Sequence, residues 1–364
     1  MKKILIVTNN MLGGGAERVL LILLRLLDRT KFVIDLVLIK NKGIRLDEIP
    51  KDINVKYIYD AVESDSEFPR SDLQVRNLYE KTIHKKYDVE IAFLEGAPTH
   101  FVSQSNNNYS KKFAWVHVDL EAYHWSKNYY ESIEAERNAY LKFKKIVFVS
   151  HSNLQSFQKK FSIEQNLQVL YNPIDVNLIL SQSDSYRINE SRFMFCYVSS
   201  ISKRKGQDKL IYGLKKLIDD GYDCCLYLIG DGIFERECRK LTENLSIEDR
   251  VVFTGYKKNP FPYIKAADVF VHASDSEGFP VVLCESLILN TPIIATKCNG
   301  SIDVLDNGLY GLMTDISSNG LYEAMKYMMQ CPDARKHYSD MGNVWVKKFF
   351  LNDNYKAIES LLEE

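Results

Sequence analysis

Six residues from Asp268 to Ala273, DVFVHA, form an apolar run too short for a helix and closed by turn residues, the pattern of a strand buried on both faces. Such a strand needs helices on both sides of its sheet, which restricts the chain to a parallel α/β architecture. The run passes into the acidic turn Ser274-Asp275-Ser276-Glu277-Gly278 and then, from Pro280, into an apolar helical stretch. Pro280 suits the first helical turn, where its missing N–H would have had no partner. The positive end of that helix then faces the acidic turn and attracts anions.

Glu277 and Glu285 bracket the helix start, and eight positions of helical rise separate them by about 12 Å. Glycosidase carboxylates stand about 5 to 9.5 Å apart across one bond. Two acids spaced more widely are suited to holding opposite ends of one long ligand. A nucleotide sugar has that form: hydroxyl-bearing rings at both ends, whose O–H groups donate to carboxylates, and a diphosphate between them that accepts from helix N–H groups.

Glu277-Gly278-Phe279-Pro280 followed by Glu285 resembles the E-x7-E signature of the retaining glycosyltransferases of family 4, which have the GT-B fold. The resemblance extends through most of the chain, and its motifs occur in order. It implies two Rossmann-like doubly wound α/β domains facing a central cleft. The donor is expected mainly on the C-terminal domain.

The rest of the chain repeats the strand, loop, helix pattern. Apolar runs at Lys3–Val7, Ile34–Ile39, Val55–Tyr59, Asp88–Leu94, Lys112–Val118 and Lys145–Val149 predict strands of a first sheet, with a helix start around His151-Ser152-Asn153. Phe193–Val198, Cys225–Ile229, Val251–Gly255 and Pro292–Ala295 predict a second. A length of 364 residues exceeds what one core usually organises. The expected division is 1–172 for an acceptor-side domain, with the polar stretch 181–192 as linker, and 173–345 for a nucleotide-sugar-binding domain. Residues 346–364 belong to a terminal amphipathic helix, read as Val344–Leu362, which in GT-B proteins crosses back to the first domain. Residues 60–75 read as a loop.

Within the first domain, Met11 to Arg18 carries Gly13, Gly14 and Gly15 between a strand and an apolar helix, Val19–Leu27. The dinucleotide fingerprint fails because Arg18 stands where its last glycine belongs, which removes support for a nicotinamide or flavin cofactor. From the residues alone this loop serves packing or a ligand equally well. The resemblance assigns Gly14 and Gly15 to the cleft near the donor phosphates and acceptor. His117 ends a strand, where ligands of open α/β sheets gather, and the resemblance places it against the donor sugar. Trp125, Tyr129 and Tyr130 offer an acceptor-facing surface or ordinary packing.

In the second domain Ser199 to Gly206 leads from a strand into the helix Gln207–Leu217, with Lys203, Arg204 and Lys205 at the turn. Fixed cations at a helix start can clamp a diphosphate and the charge growing on a leaving nucleotide. The family pattern G-R-L-x-x-x-K-G is matched at Lys205-Gly206, but Ser200 occupies its arginine position. Either Arg204 or Lys203 supplies the second cation, or the leaving group is held less strongly. The turn Gly230-Asp231-Gly232 has a structural reading. Tyr256 and Lys257 follow a strand to which the resemblance assigns the nucleobase. Asn299-Gly300 stands in place of a Gly-Gly pair.

The resemblance thus implies a metal-independent hexosyltransferase that retains anomeric configuration. His117, Glu277 and Lys205 are its expected catalytic residues. Its donor site comprises Gly14, Gly15, Ser200, Arg204, Lys205, Tyr256, Lys257, Glu277, Gly278, Phe279, Pro280, Val281 and Glu285. No cofactor and no metal are expected, and there is no D-x-D pair in the chain. The donor is expected to be UDP- or GDP-linked. The acceptor is expected to be a glycan or lipid-linked sugar, in cell-surface polysaccharide or capsule synthesis. The alternatives are a non-catalytic GT-B partner subunit and a GT-B hydrolase or phosphorylase.

A net charge of −1 gives no basis for nucleic-acid binding. The mildly basic first half is compatible with peripheral contact at the cytoplasmic face of an inner membrane. All seven cysteines lie in the C-terminal half without C-x-x-C spacing, which fits a reducing cytoplasm. No segment approaches the ~20 apolar residues of a membrane span.

Overall fold

The computed structural model of the chain describes residues 1–59, 68–350 and 354–364. They fall into two compact units, one of Met1–Pro173 with the C-terminal helix, the other beginning at Ile174.

The first unit comprises β1 (Lys2–Thr8), α1 (Gly15–Leu26), β2 (Phe32–Lys40), β3 (Asn54–Tyr59), α2 (Asp72–Thr82), β4 (Val89–Ala92), α3 (Ala97–Ser103), β5 (Lys111–Val116), α4 (Ile133–Tyr140), β6 (Lys145–Phe148), α5 (His151–Phe161) and β7 (Leu167–Val169). The second comprises α6 (Val176–Gln182), β8 (Phe193–Val198), α7 (Gln207–Asp219), β9 (Cys224–Ile229), α8 (Glu235–Asn244), β10 (Val251–Gly255), α9 (Phe261–Ala266), β11 (Val269–His272), α10 (Val281–Ile288), β12 (Ile293–Thr296), α11 (Asn299–Leu305), β13 (Leu312–Thr314), α12 (Ser318–Gln330) and α13 (Pro332–Phe350). Helix α14 (Asn354–Glu363) returns to the first unit.

Both sheets are parallel and share one plan. The first is ordered β3-β2-β1-β4-β5-β6-β7 and the second β10-β9-β8-β11-β12-β13, each with its first strand central and its order reversing beside that strand. This is the Rossmann-type arrangement. The central strands are dry on both faces: Ile4, Leu5, Ile6 and Val7 of β1 are completely buried, as are Val269, Phe270 and Val271 of β11. Ring packing fills the layer beneath α5, where Phe157 lies 4.8 Å from Tyr140 and 4.9 Å from Phe148 between centroids.

Several boundaries differ from the sequence expectation for local reasons. Asp175 caps α6 by accepting from the Leu178 N–H at 2.9 Å, so the supposed linker at 181–192 begins inside a helix. Ser150, rather than His151 to Asn153, caps α5. The expected loop 60–75 lies at 60–67 outside the described residues, and from Asp72 it is helix α2. The single terminal helix expected at 344–362 is instead the end of α13 and a separate α14.

Helix α14 is held by the first unit on two sides. Ile358, Leu361 and Leu362 are buried, Lys2 donates to the Leu362 carbonyl at 3.3 Å, and the Asp28 N–H donates to Glu359 at 3.3 Å. Among the described residues no helix is long and apolar enough to cross a membrane.

Candidate active site

Because every strand of a parallel sheet points the same way, the loops after the strands collect along one edge. Ligands of such sheets bind where the strand order reverses. In the second unit that place lies between β8 and β11. The loop after β8 carries Lys203 to Gly206, and the loop after β11 carries Ser274 to Pro280.

The two loops are locked together. Gly206 has φ +70°, and a Cβ built there would lie 2.2 Å from the Ala273 carbonyl oxygen, so only glycine lets the strand end and the helix start touch. The Asp275 N–H donates to the Arg204 carbonyl at 2.9 Å. Asn299-Gly300 closes the other side. The Gly300 N–H donates to the Glu277 carbonyl at 3.1 Å, and a Cβ on Gly300 would lie 2.8 Å from that oxygen.

Glu277 sits at the centre of the arrangement. Its Oε1 accepts from the Lys205 ammonium, from the Ser274 hydroxyl at 2.6 Å and from His272 Nε2 at 3.3 Å; Arg204 stands 3.9 Å from Oε2 and also donates to the Ser276 carbonyl. Tyr197 bridges the loops from below, with its hydroxyl 2.9 Å from Ser274 Oγ and 3.1 Å from the Lys205 carbonyl. Ser301 lies 3.3 Å from His272 Nδ1. Burial opposes ionisation of Glu277, but the Lys205 charge, the His272 hydrogen bond and Arg204 outweigh it and hold the carboxyl well below the usual range. Burial draws Lys205 down against the pull of Glu277. Burial likewise lowers His272, which keeps it neutral with Nε2–H toward Glu277 and Nδ1 accepting from Ser301. The result is a shielded ion pair whose ammonium keeps further N–H groups for a ligand.

The helix expected from Pro280 starts one residue later. Pro280 is the N-cap, with extended backbone at φ −73° and ψ 93°, and α10 begins at Val281. Only the stretch from Val281 to Glu285 therefore follows helical rise, and the 12 Å spacing estimated from eight helical positions does not apply. Glu285 is 1% exposed within α10, and Gly278, Phe279 and Val281 are buried beside it. Phe279 stacks on Phe349 of α13 with centroids 6.2 Å apart.

Ser200 is exposed after β8, and its carbonyl accepts from Gln207 at 2.9 Å. Tyr256 and Lys257 follow β10 along the same edge, two strands from Lys205.

The remaining expected residues lie on the first unit. Its order reverses between β1 and β4. Gly14 caps α1 and Gly15 begins it, both exposed. A Cβ on Gly15 would meet no atom within 4 Å, so packing is not what reserves that position. His117 follows β5, next to β4. Its ring lies 4.8 Å from Phe93, its Nε2 is buried with no partner among the described residues, and burial pushes its pKa down to about 3. Tyr129 and Tyr130 are buried, which assigns them to packing, while Trp125 is half-buried.

Sequence reasoning passed over His272, Ser274, Tyr197 and Ser301 in the second unit and Glu95 in the first. His272 and Glu95 stand at strand ends, the same signal that singled out His117. Tyr197 lies inside a strand and carries no such mark.

Residues 180–345 match the family model described as glycosyl transferases group 1. Over its whole length the chain is similar to a Campylobacter jejuni enzyme named N-acetylgalactosamine-N,N'-diacetylbacillosaminyl-diphospho-undecaprenol 4-alpha-N-acetylgalactosaminyltransferase, 24% identical over 96% of each chain. The Staphylococcus aureus capsular polysaccharide biosynthesis glycosyltransferase CapM is 30% identical over 36% of this chain and 34% of its own. Among solved structures, Anabaena Alr3699/HepE in complex with UDP and glucose superposes with a TM-score of 0.80 at 19% identity and full coverage of both chains. WaaG, a glycosyltransferase involved in lipopolysaccharide biosynthesis, superposes at 0.71 with 17% identity over 98% of each chain. The fold is GT-B, and residues 180–345 match the group 1 glycosyltransferases.

Proposed function

We propose that the protein transfers a hexosyl or N-acetylhexosaminyl group from a UDP-sugar to a hydroxyl of a lipid-linked glycan, with retention and without a metal, in cell-surface polysaccharide synthesis. The observation that carries this reading is the Lys205–Glu277 pair at the reversal point of the second sheet. It presents a fixed cation and a fixed carboxylate within one hydrogen bond of each other. Lys205 and Arg204 hold the diphosphate, so that Arg204 takes over from the arginine missing at Ser200. Glu277 and the N–H groups of Phe279 and Val281 hold sugar hydroxyls, Glu285 the ribose, and Tyr256 with Lys257 the base. On the first unit, taken by itself, Gly14, Gly15 and the neutral His117 are the candidate ligand contacts. UDP is favoured because HepE is solved with UDP, and a lipid-linked acceptor because the C. jejuni relative is named for one.

In the reaction the bond between the anomeric carbon and the phosphate oxygen breaks. The acceptor oxygen bonds to that carbon on the same face, and its proton passes to the departing phosphate. Lys205 and Arg204 stabilise the charge that grows there. Among the described residues no group of three or more His, Cys, Asp or Glu is placed to hold a metal ion.

Thermal unfolding measured with a panel of UDP- and GDP-sugars tests the reading. A UDP-sugar is expected to raise the midpoint and to release UDP in the presence of acceptor. A folded Glu277→Gln variant that transfers as fast as the parent would overturn it.

A further inference from the structure

We propose that Glu95, fully buried just after β4, is a positioning residue that places His117 for transfer by holding its backbone N–H together with the Trp125 indole. The inference rests on the preceding reading of His117. Glu95 Oε2 accepts from the His117 N–H at 2.9 Å and Oε1 accepts from Trp125 Nε1 at 3.0 Å, and the residue is 0% exposed. It stands at the carboxyl end of β4, the strand at which the order of the first sheet reverses.

The geometry concerns one particular ring. Phe93, two residues before Glu95, packs against the His117 imidazole, so one strand end fixes the ring face through Phe93 and the backbone through Glu95. What this leaves unpaired is His117 Nε2, buried and without a partner among the described residues. An unsatisfied buried nitrogen costs free energy unless a ligand completes it. A carboxylate that accepts from two donors also fixes the loop between them, from His117 to Trp125. Gly96, at φ +79°, lets the chain turn under the rings of that loop, where a Cβ would lie 3.0 Å from Tyr129.

Protonation enters because, among the described residues, the groups that act most strongly on this acid include no cation. The titratable groups around it are Glu136 of α4, His117, Tyr130 and Tyr140; burial keeps both tyrosines and His117 neutral, and burial pushes the Glu95 carboxyl up to about 7. Ionised, Glu95 satisfies both donors. Protonated, one oxygen must donate instead, and one of the two bonds is lost.

The test uses the full chain and two variants, Glu95→Gln and Trp125→Phe, with His117→Gln to assign the His117 ring signals in 15N-histidine spectra. Glu95→Gln is expected to shift those signals, and to lower kcat about tenfold to a hundredfold at nearly constant donor KM, because small misplacements of a reacting-centre group act on the chemical step. The fall in kcat from pH 8 to pH 6 in the parent should flatten in this variant. A folded Glu95→Gln chain with parental His117 signals and parental kcat overturns the inference. If that variant does not fold, Trp125→Phe decides through the same two readouts, parental values again overturning it. The spectra need no substrate. A shifted His117 signal in a chain that transfers from no nucleotide sugar therefore counts against the transferase reading and leaves the positioning role standing.

Discussion

The two units share a strand order and differ in the chemistry they place at the point where it reverses. Each has a carboxylate just beyond a strand there, the buried Glu95 in the first and the half-buried Glu277 in the second. Glu95 accepts from two neutral N–H donors, and burial raises it to about 7. Glu277 is also opposed by burial but faces Lys205 and Arg204, and is held well below the usual range. Burial thus opposes both charges, and what stands within a few ångströms decides which way each carboxyl moves. The glycines differ in parallel: Gly206 is pressed on a carbonyl, while Gly15 opens on empty space. The second unit is a rigid charged clamp. The first presents a neutral buried imidazole at His117 and open space at Gly15.

The largest expected effect falls on the clamp. Glu277→Gln should reduce transfer by about 10³-fold and, by leaving the half-buried Lys205 without its counterion, destabilise the chain by about 1–3 kcal/mol. Adding Lys205→Met should recover the stability and none of the activity, a separation to be read by denaturant unfolding beside a nucleotide-release assay. An active double variant would break the contrast between the units.

Gly206→Ala should cost about 2–5 kcal/mol, since it combines positive φ with a clash against backbone. Urea titration checks this.

The acids should then separate by pH. Glu95 is raised in the folded chain from 4.5 to about 7, so its contribution is fully present below pH 4.5 and is lost as the pH rises to 7. At 1.36 kcal/mol per unit that loss is about 3 kcal/mol. Glu277 is lowered, so its contribution is present above its unfolded value and is lost as the pH falls through the folded one. Unfolding free energies across pH 4 to 8 should show Glu95→Gln flattening the neutral limb and Glu277→Gln the acid limb; the reverse assignment would sink the comparison. The smallest effect belongs to Gly15→Ala, within about 0.5 kcal/mol of the parent. Any fall in its transfer rate then reports on ligand contact alone.

The architecture was legible because buried strands, glycine turns and helix starts leave local marks. Five of the six second-sheet strands could be read that way, the short β13 (Leu312–Thr314) being missed, while the E-x7-E segment and Lys205-Gly206 were carried by family resemblance. What was not legible depends on which strands are neighbours. Glu95 touches His117 because β4 lies beside β5, and Tyr197 reaches Ser274 because β8 lies beside β11. No spacing in the chain encodes those adjacencies. The one-residue error at Pro280 has a different origin: proline is as suitable for a cap with extended ψ as for a first helical turn, and composition does not distinguish them. The contact of Arg204 with the Ser276 carbonyl, which occupies one of its five N–H donors, is likewise marked by no spacing.

The docking of α14 has a practical consequence for dissecting this molecule. A gene fragment stopped at Pro173 would encode every strand of the first sheet but omit the helix that buries Ile358, Leu361 and Leu362 on it, leaving a sticky apolar scar. To be prepared by itself, that half needs a design that carries residues 354–364 as well.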